Sequence, residues 1–288
     1  MSLEYIDSDY RISGTSSDFL YQLDLKSTDS VCVISANIPK SYYLIQSIGN
    51  TVIFTENSTV RTITISPGNY SVGDFLGQLV VLLNPGTVTY TDTIDKVTQI
   101  TTYAAVGGSP PTLTYTIKFN KFTSIITYIA IGGVFNSITF PSDSSIYRQM
   151  GFNYNTVNVS SGNQLISPNV PLFQLTNIVF IRSNIQQSDR SILGGNILQS
   201  ISAVNQPNMY SVTYQNTTYP NLVRKRYMQN SIIHIWVTDS DGFILDLNGL
   251  PINIELLFFN YDNSAEILRT STYLDQVERA AKKPVTST

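Results

Sequence analysis

Hydrophobic positions along this chain recur mostly with a period of two, in short runs broken by turn residues. Residues 60–66 alternate cleanly, with Ile63 and Ile65 on one face and Thr62 and Thr64 on the other, as a half-buried strand requires. Similar runs lie at 31–38, 43–48, 52–55, 112–119, 125–131, 175–182, 209–214, 232–238, 243–247 and 252–259. Residues 193–202 are apolar but carry Gly194-Gly195, which favours strand or loop over helix. Pro67-Gly68-Asn69 ends one strand with turn chemistry, and residues 107–111 (GGSPP) read as a loop tip.

Helical spacing occurs once over any length. Val72, Phe75, Leu76, Leu79, Leu82 and Leu83 share one face of a helix predicted over 71–84. Ser71 is its candidate N-cap, Asp74 follows three residues later, and Pro85-Gly86 closes it. A second short helix is predicted at 144–150. Many short strands with few helices predict an all-β sandwich or barrel, with no repeat of fixed solenoid period.

The ends differ from the middle. Residues 1–25 are polar and poorly periodic and read as an extended arm. Residues 264–283 gather Glu266, Arg269, Asp275, Glu278, Arg279, Lys282 and Lys283. There Ile267, Leu274, Val277 and Ala281 give a thin apolar stripe that does not support an isolated helix. Such a tail either orders on a partner or packs back on its own sandwich.

Composition adds that charged residues are only 13% of the chain, about half the usual quarter. A surface so poor in charge suits a packed assembly. The net charge of −3 provides no basic footprint for nucleic acid. The start of the chain lacks the basic and apolar segments of a signal peptide, and the longest apolar stretch, 75–83, is too short to span a bilayer. Asn-x-Ser/Thr sites at Asn57, Asn69, Asn158 and Asn216 are expected by chance in so Asn- and Thr-rich a chain.

Candidate chemistry is thin. The one histidine, His234, shares a strand face with Ile232 and Trp236, and the one cysteine, Cys32, sits in an apolar run. Both, with Trp236, read as structural, because zinc chemistry needs a cluster of such ligands. Asp239-Ser240-Asp241-Gly242 begins like a calcium loop, but position 250, where the bidentate Glu would stand, is Leu. The segment therefore reads as a hairpin turn. Arg224-Lys225-Arg226 is the only dense basic triplet and reads as a solvated loop. No nucleophile elbow or phosphate loop occurs. The sequence thus predicts no enzyme, and no catalytic, cofactor-binding or metal-binding residue.

Four stretches carry a family resemblance. They are 63–71 (ITISPGNYS) leading into the helix, 177–185 (NIVFIRSNI), 197–206 (ILQSISAVNQ), and 232–259 with its Asp239–Gly242 turn and 245–250 (LDLNGL). In order and content, over residues 31–259, they resemble the minor capsid (penton) proteins of virophages and polinton-like viruses. The resemblance implies a single jelly roll of two four-stranded antiparallel sheets, strands B to I. Strand B would be 31–38, G 175–182, H 232–238 and I 252–259, within a domain at 26–262. Residues 88–140 are long for the equivalent region and predict an inserted hairpin region. The implied function is a homopentamer closing the fivefold vertices of an icosahedral virion, assembled inside the host cell. Its partners would be copies of itself, the major capsid protein and other minor capsid proteins. The alternative is a jelly-roll module of a virion spike that binds carbohydrate or a receptor, since the fold serves both purposes.

Overall fold

The computed structural model describes residues 2–23, 28–57, 59–87, 89–107, 113–186, 196–204, 210–216, 222–226 and 231–260. The tail at 264–288 and most of the loop at 107–111 lie outside them. In chain order the strands before the first helix are β1 (Ser2–Asp7), β2 (Ser13–Gly14), β3 (Asp18–Gln22), β4 (Ser30–Pro39), β5 (Thr51–Glu56) and β6 (Thr59–Thr64). Helix α1 (Val72–Leu83) precedes β7 (Thr89–Asp95), β8 (Ile100–Val106), β9 (Thr114–Asn120), β10 (Ile125–Ile131) and β11 (Phe135–Thr139). After α2 (Tyr147–Met150) come β12 (Asn158–Val159), β13 (Gln164–Ile166), β14 (Ile178–Ser183), β15 (Ile197–Ser202), β16 (Ser211–Gln215), β17 (Val223–Arg224), β18 (Ile232–Thr238) and β19 (Asn253–Phe259). The fold is all-β, as the periodicity predicts.

Two compact units share the chain. One runs to Tyr42 and resumes at Thr176, and the other is Tyr43–Leu175. In the first, one sheet has the order β1-β19-β4-β16, with β17 also paired to β4, and the other has the order β15-β14-β18-β3-β2. With β1, β3, β4, β14, β15, β16, β18 and β19 lettered B to I, these orders are B-I-D-G and F-E-H-C. That is the strand order of an eight-stranded jelly roll. All the pairings are antiparallel. Alternate residues turn inward, including Ile6, Phe19, Val31, Val33, Val179, Ile181, Leu198, Val212, Ile233, Ile235, Ile254 and Leu256, all buried.

This order corrects four expectations. Residues 1–25 do not form a free arm, because they supply strands B and C. Ser2 pairs with Phe258 and Asp18 with Trp236, so the N-terminal segment gains its backbone partners from strands near the other end of the chain. Residues 31–38 are strand D rather than B, and the strand expected as G is E; H and I stand where expected. The inserted region is all of 43–175, between D and E, not 88–140, so the jelly roll is not a continuous domain over 26–262. Residues 43–48 and 243–247 form only isolated bridges, Ile45 to Gly68 and Ile244 to Thr238.

The inserted unit has its own core. A meander of order β13-β10-β9-β8-β7 and a smaller sheet of order β12-β11-β5-β6 surround α1, whose buried face is Phe75, Leu76, Leu79, Val80 and Leu83. Ser71 caps α1 as predicted, its hydroxyl accepting from the Asp74 N–H at 3.2 Å. Asn84 closes the other end and joins it to the meander. Its amide donates to the Val80 and Tyr115 carbonyls, and its Oδ1 accepts the Tyr115 N–H at 2.7 Å. Phe54, Phe135 and Tyr115 pack ring against ring beneath the helix.

Candidate functional site

The residues singled out by chemistry are dispersed through the jelly roll. Cys32 is buried with Phe259, against Ile34, Leu222 and Leu257. Burial pushes its thiol up to about 12, so it stays protonated and unreactive at neutral pH. His234 and Trp236 point to the same side of β18, with ring centroids 4.6 Å apart. His234 Nε2 lies 2.5 Å from Asp18 Oδ1 on the neighbouring strand β3. Both partners are about a third exposed, so the pair ties strand C to strand H at a partly wet surface. Trp236 is half-buried, not fully buried.

Asp239 is buried at the end of β18. Its Oδ1 accepts the N–H groups of Asp241 and Phe243, both at 2.9 Å, and Gly242 takes φ +92 to close the turn. The carboxylate thus organises its own turn, the hairpin-turn reading of Asp239-Ser240-Asp241-Gly242. It also faces Arg182. Desolvation pulls the Arg182 guanidinium down and the Asp239 charge opposes that shift, while Arg182 Nε donates to Thr238 Oγ1 at 2.9 Å. Burial, with the same Asp239 charge, holds Tyr42 up at about 12. Lys40 donates to the Ala203 carbonyl at 2.9 Å. Asp239 and Arg182 thus join strands E and H beside Tyr42, and Lys40 joins the end of D to the end of F.

The basic triplet is no free loop. Arg224 pairs with Ser30 through β17, Lys225 bridges to Gln186, and the Arg226 N–H donates to the Ile185 carbonyl. Only the Arg224 and Arg226 side chains are exposed.

The jelly roll exposes apolar side chains at its two lateral edges. Among the described residues strand β1 is bonded on one side only. Leu3 and Tyr5 face outward from it, 60% and 58% exposed, and Tyr10 and Ile12 follow on the way to β3. The Tyr5 hydroxyl donates to Asn253 Oδ1 at 2.8 Å, which holds the ring in place while it stays exposed. The opposite edge is formed by β15 and β16, which lie side by side. There Val204 and Tyr210 are exposed, Tyr210 by 65%. Each lateral edge of the jelly roll therefore exposes an aromatic and at least one aliphatic side chain. The sequence signal for the first edge was Leu3-x-Tyr5 alternating against Glu4, hidden in a segment read as an arm.

No family model and no curated protein matches the chain. A solved structure does align with it. That structure is the mavirus penton protein, 13% identical over 89% of this chain and 91% of that one, with a TM-score of 0.25. The jelly-roll assignment rests on the strand order itself.

Proposed function

We propose that this chain is a structural capsid protein, the penton subunit that closes the fivefold vertices of an icosahedral virion. The observation that carries this reading is the B-I-D-G and F-E-H-C strand order with different apolar side chains exposed at its two lateral edges. A ring of identical subunits needs a heterologous contact, in which one side of a subunit meets the opposite side of the next. Leu3, Tyr5, Tyr10 and Ile12 on one side, and Val204 and Tyr210 on the other, are suited to that contact. The low charge content of the chain favours burial there. The resemblance of residues 31–259 to virophage and polinton-like penton proteins points the same way. In this reading the role is geometric, no reaction is catalysed, and the partners are copies of the chain and the major capsid protein.

The test is the mass of the purified chain by light scattering over a wide concentration range, alone and with the major capsid protein, with electron microscopy of the same samples. A pentamer with ring-shaped particles is expected, each contact burying on the order of 2,000 Å². A strictly monomeric mass under every condition overturns the reading.

A further inference from the structure

Two hairpin turns of the inserted unit are copies of one another. Residues 95–100 read DKVTQI and residues 120–125 read NKFTSI. In the first, Asp95 Oδ1 accepts the N–H groups of Val97 and Thr98 at 2.8 and 3.3 Å. In the second, Asn120 Oδ1 accepts those of Phe122 and Thr123 at 2.9 and 3.2 Å. Each turn ends on a left-handed residue, Gln99 at φ 54 and Ser124 at φ 55. The turns are adjacent because β8 pairs with β9, Ile100 opposite Asn120. They are also bonded directly, Lys121 N–H to the Gln99 carbonyl at 3.1 Å.

The result is one fixed double tip that holds two apolar side chains out into water. Val97 is 87% exposed and Phe122 75%. Lys96 and Lys121 precede them, and exposed Lys118 lies two residues behind the second turn. These are all the lysines of residues 43–175. The arginines of that unit are engaged elsewhere, Arg61 with Glu56 and the Leu83 carbonyl and Arg148 with Tyr147. Asp95, the acid within the tips, is turned to backbone N–H groups.

We infer that this double tip is a membrane-docking element, in which Val97 and Phe122 enter the interface of an anionic bilayer while Lys96, Lys118 and Lys121 meet lipid phosphates. The lysines of the tip complement a negative surface. Aliphatic lysine stems lie along apolar surface while their ammonium groups stay wet, and basic residues beside inserted apolar ones are attracted to anionic headgroups. One tip alone binds weakly, and several copies held together multiply the effect. The inference uses only residues of the inserted unit, and the proposed pentamer enters it solely as a source of valence.

The experiment supplies that valence independently. The full chain, biotinylated at its C-terminus and displayed on streptavidin beads, is offered fluorescent vesicles of phosphatidylcholine with or without phosphatidylserine. Capture of the anionic vesicles, weakened by salt, is expected. Val97→Ser with Phe122→Ser should lower it about tenfold. Lys96→Gln with Lys121→Gln should erase the preference for phosphatidylserine. Both variants should keep the wild-type melting temperature, since the replaced side chains are exposed. Failure of the wild-type beads to capture anionic vesicles overturns the inference and leaves the tips to a protein with an acidic pocket. Capture unchanged by either variant overturns it equally. A monomeric mass in solution, by contrast, counts only against the pentamer.

Discussion

The ring of Tyr90 on β7 occupies the space that a side chain on Gly77 of α1 would need. A Cβ built on Gly77 would stand 2.1 Å from Tyr90 Cζ. Glycine inside a helix ordinarily costs about 1 kcal/mol against alanine, so its presence here is explained by the strand, not the helix. Gly77→Ala should destabilise the inserted unit by about 1–3 kcal/mol through overpacking. Combined with Tyr90→Ala, the same change should become neutral or stabilising. A double-mutant cycle by chemical denaturation reads the coupling, and an unfavourable Gly77→Ala effect that persists without the Tyr90 ring would refute the steric account.

Asn84 acts as a short stretch of strand for Tyr115, satisfying both its N–H and its carbonyl from a side chain. Asn84→Ala leaves those buried groups, and the end of α1, without partners. A loss of about 2–4 kcal/mol is expected, visible as a lowered melting temperature with unchanged strand content by circular dichroism.

Cys32 links stability to alkaline pH. Its thiol moves from 9.0 to about 12 on folding, so the folded state keeps a proton that the unfolded state releases. That stability is complete below pH 9 and is lost as pH rises from 9 towards about 12, by up to about 1.4 kcal/mol per pH unit. Cys32→Ala should flatten the fall in stability between pH 9 and 10. Tyr42, raised from 10.0 to about 12, contributes mainly above that range. Equal slopes in the two proteins would show that the thiol is solvated.

A head-to-tail ring makes a distinctive demand on mixtures. Tyr5→Arg disables one edge and Tyr210→Arg the other, so neither variant alone should form rings. Mixed in equal amounts, each retains the half that the other lacks. Discrete heterodimers are expected by native mass spectrometry, with nothing larger. A contact built from the same patch on both subunits would instead leave the mixture no more associated than its components.

The sequence made some of this fold readable and concealed the rest for identifiable reasons. Strands 232–238 and 252–259 were legible because both alternate over seven residues with a buried face. So was α1, with its six apolar positions on one side. Strands B and C were not, because β1 buries only Ile6 and β3 only Phe19. Their partners within the eight-stranded sandwich, β19 and β18, lie more than two hundred residues away, beyond the reach of local pattern. Missing them left 31–38, which is strand D, lettered as B. The edges of the insertion were hidden because β5 and β6 alternate as a jelly-roll strand does, and nothing in composition marks the passage at Tyr43. The shared face of His234 and Trp236 and the burial of Cys32 followed from their neighbours in sequence. The two tips did leave a signal, the spacing shared by DKVTQI and NKFTSI, in two copies only, too few to register as a repeat.

Strand β19 lies between β1 and β4, although the ribosome makes it after every other strand of that sheet. Until residue 259 has left the exit tunnel, β1 and β4 have no neighbour to bridge them, and two bare edges face one another across an empty lane. The meander of 89–131, by contrast, pairs each strand with the one just synthesised and can close during translation. The nascent chain therefore carries a finished insert on an open sandwich. That interval, and not the folded state, is when the chain is most exposed to pairing with the wrong partner.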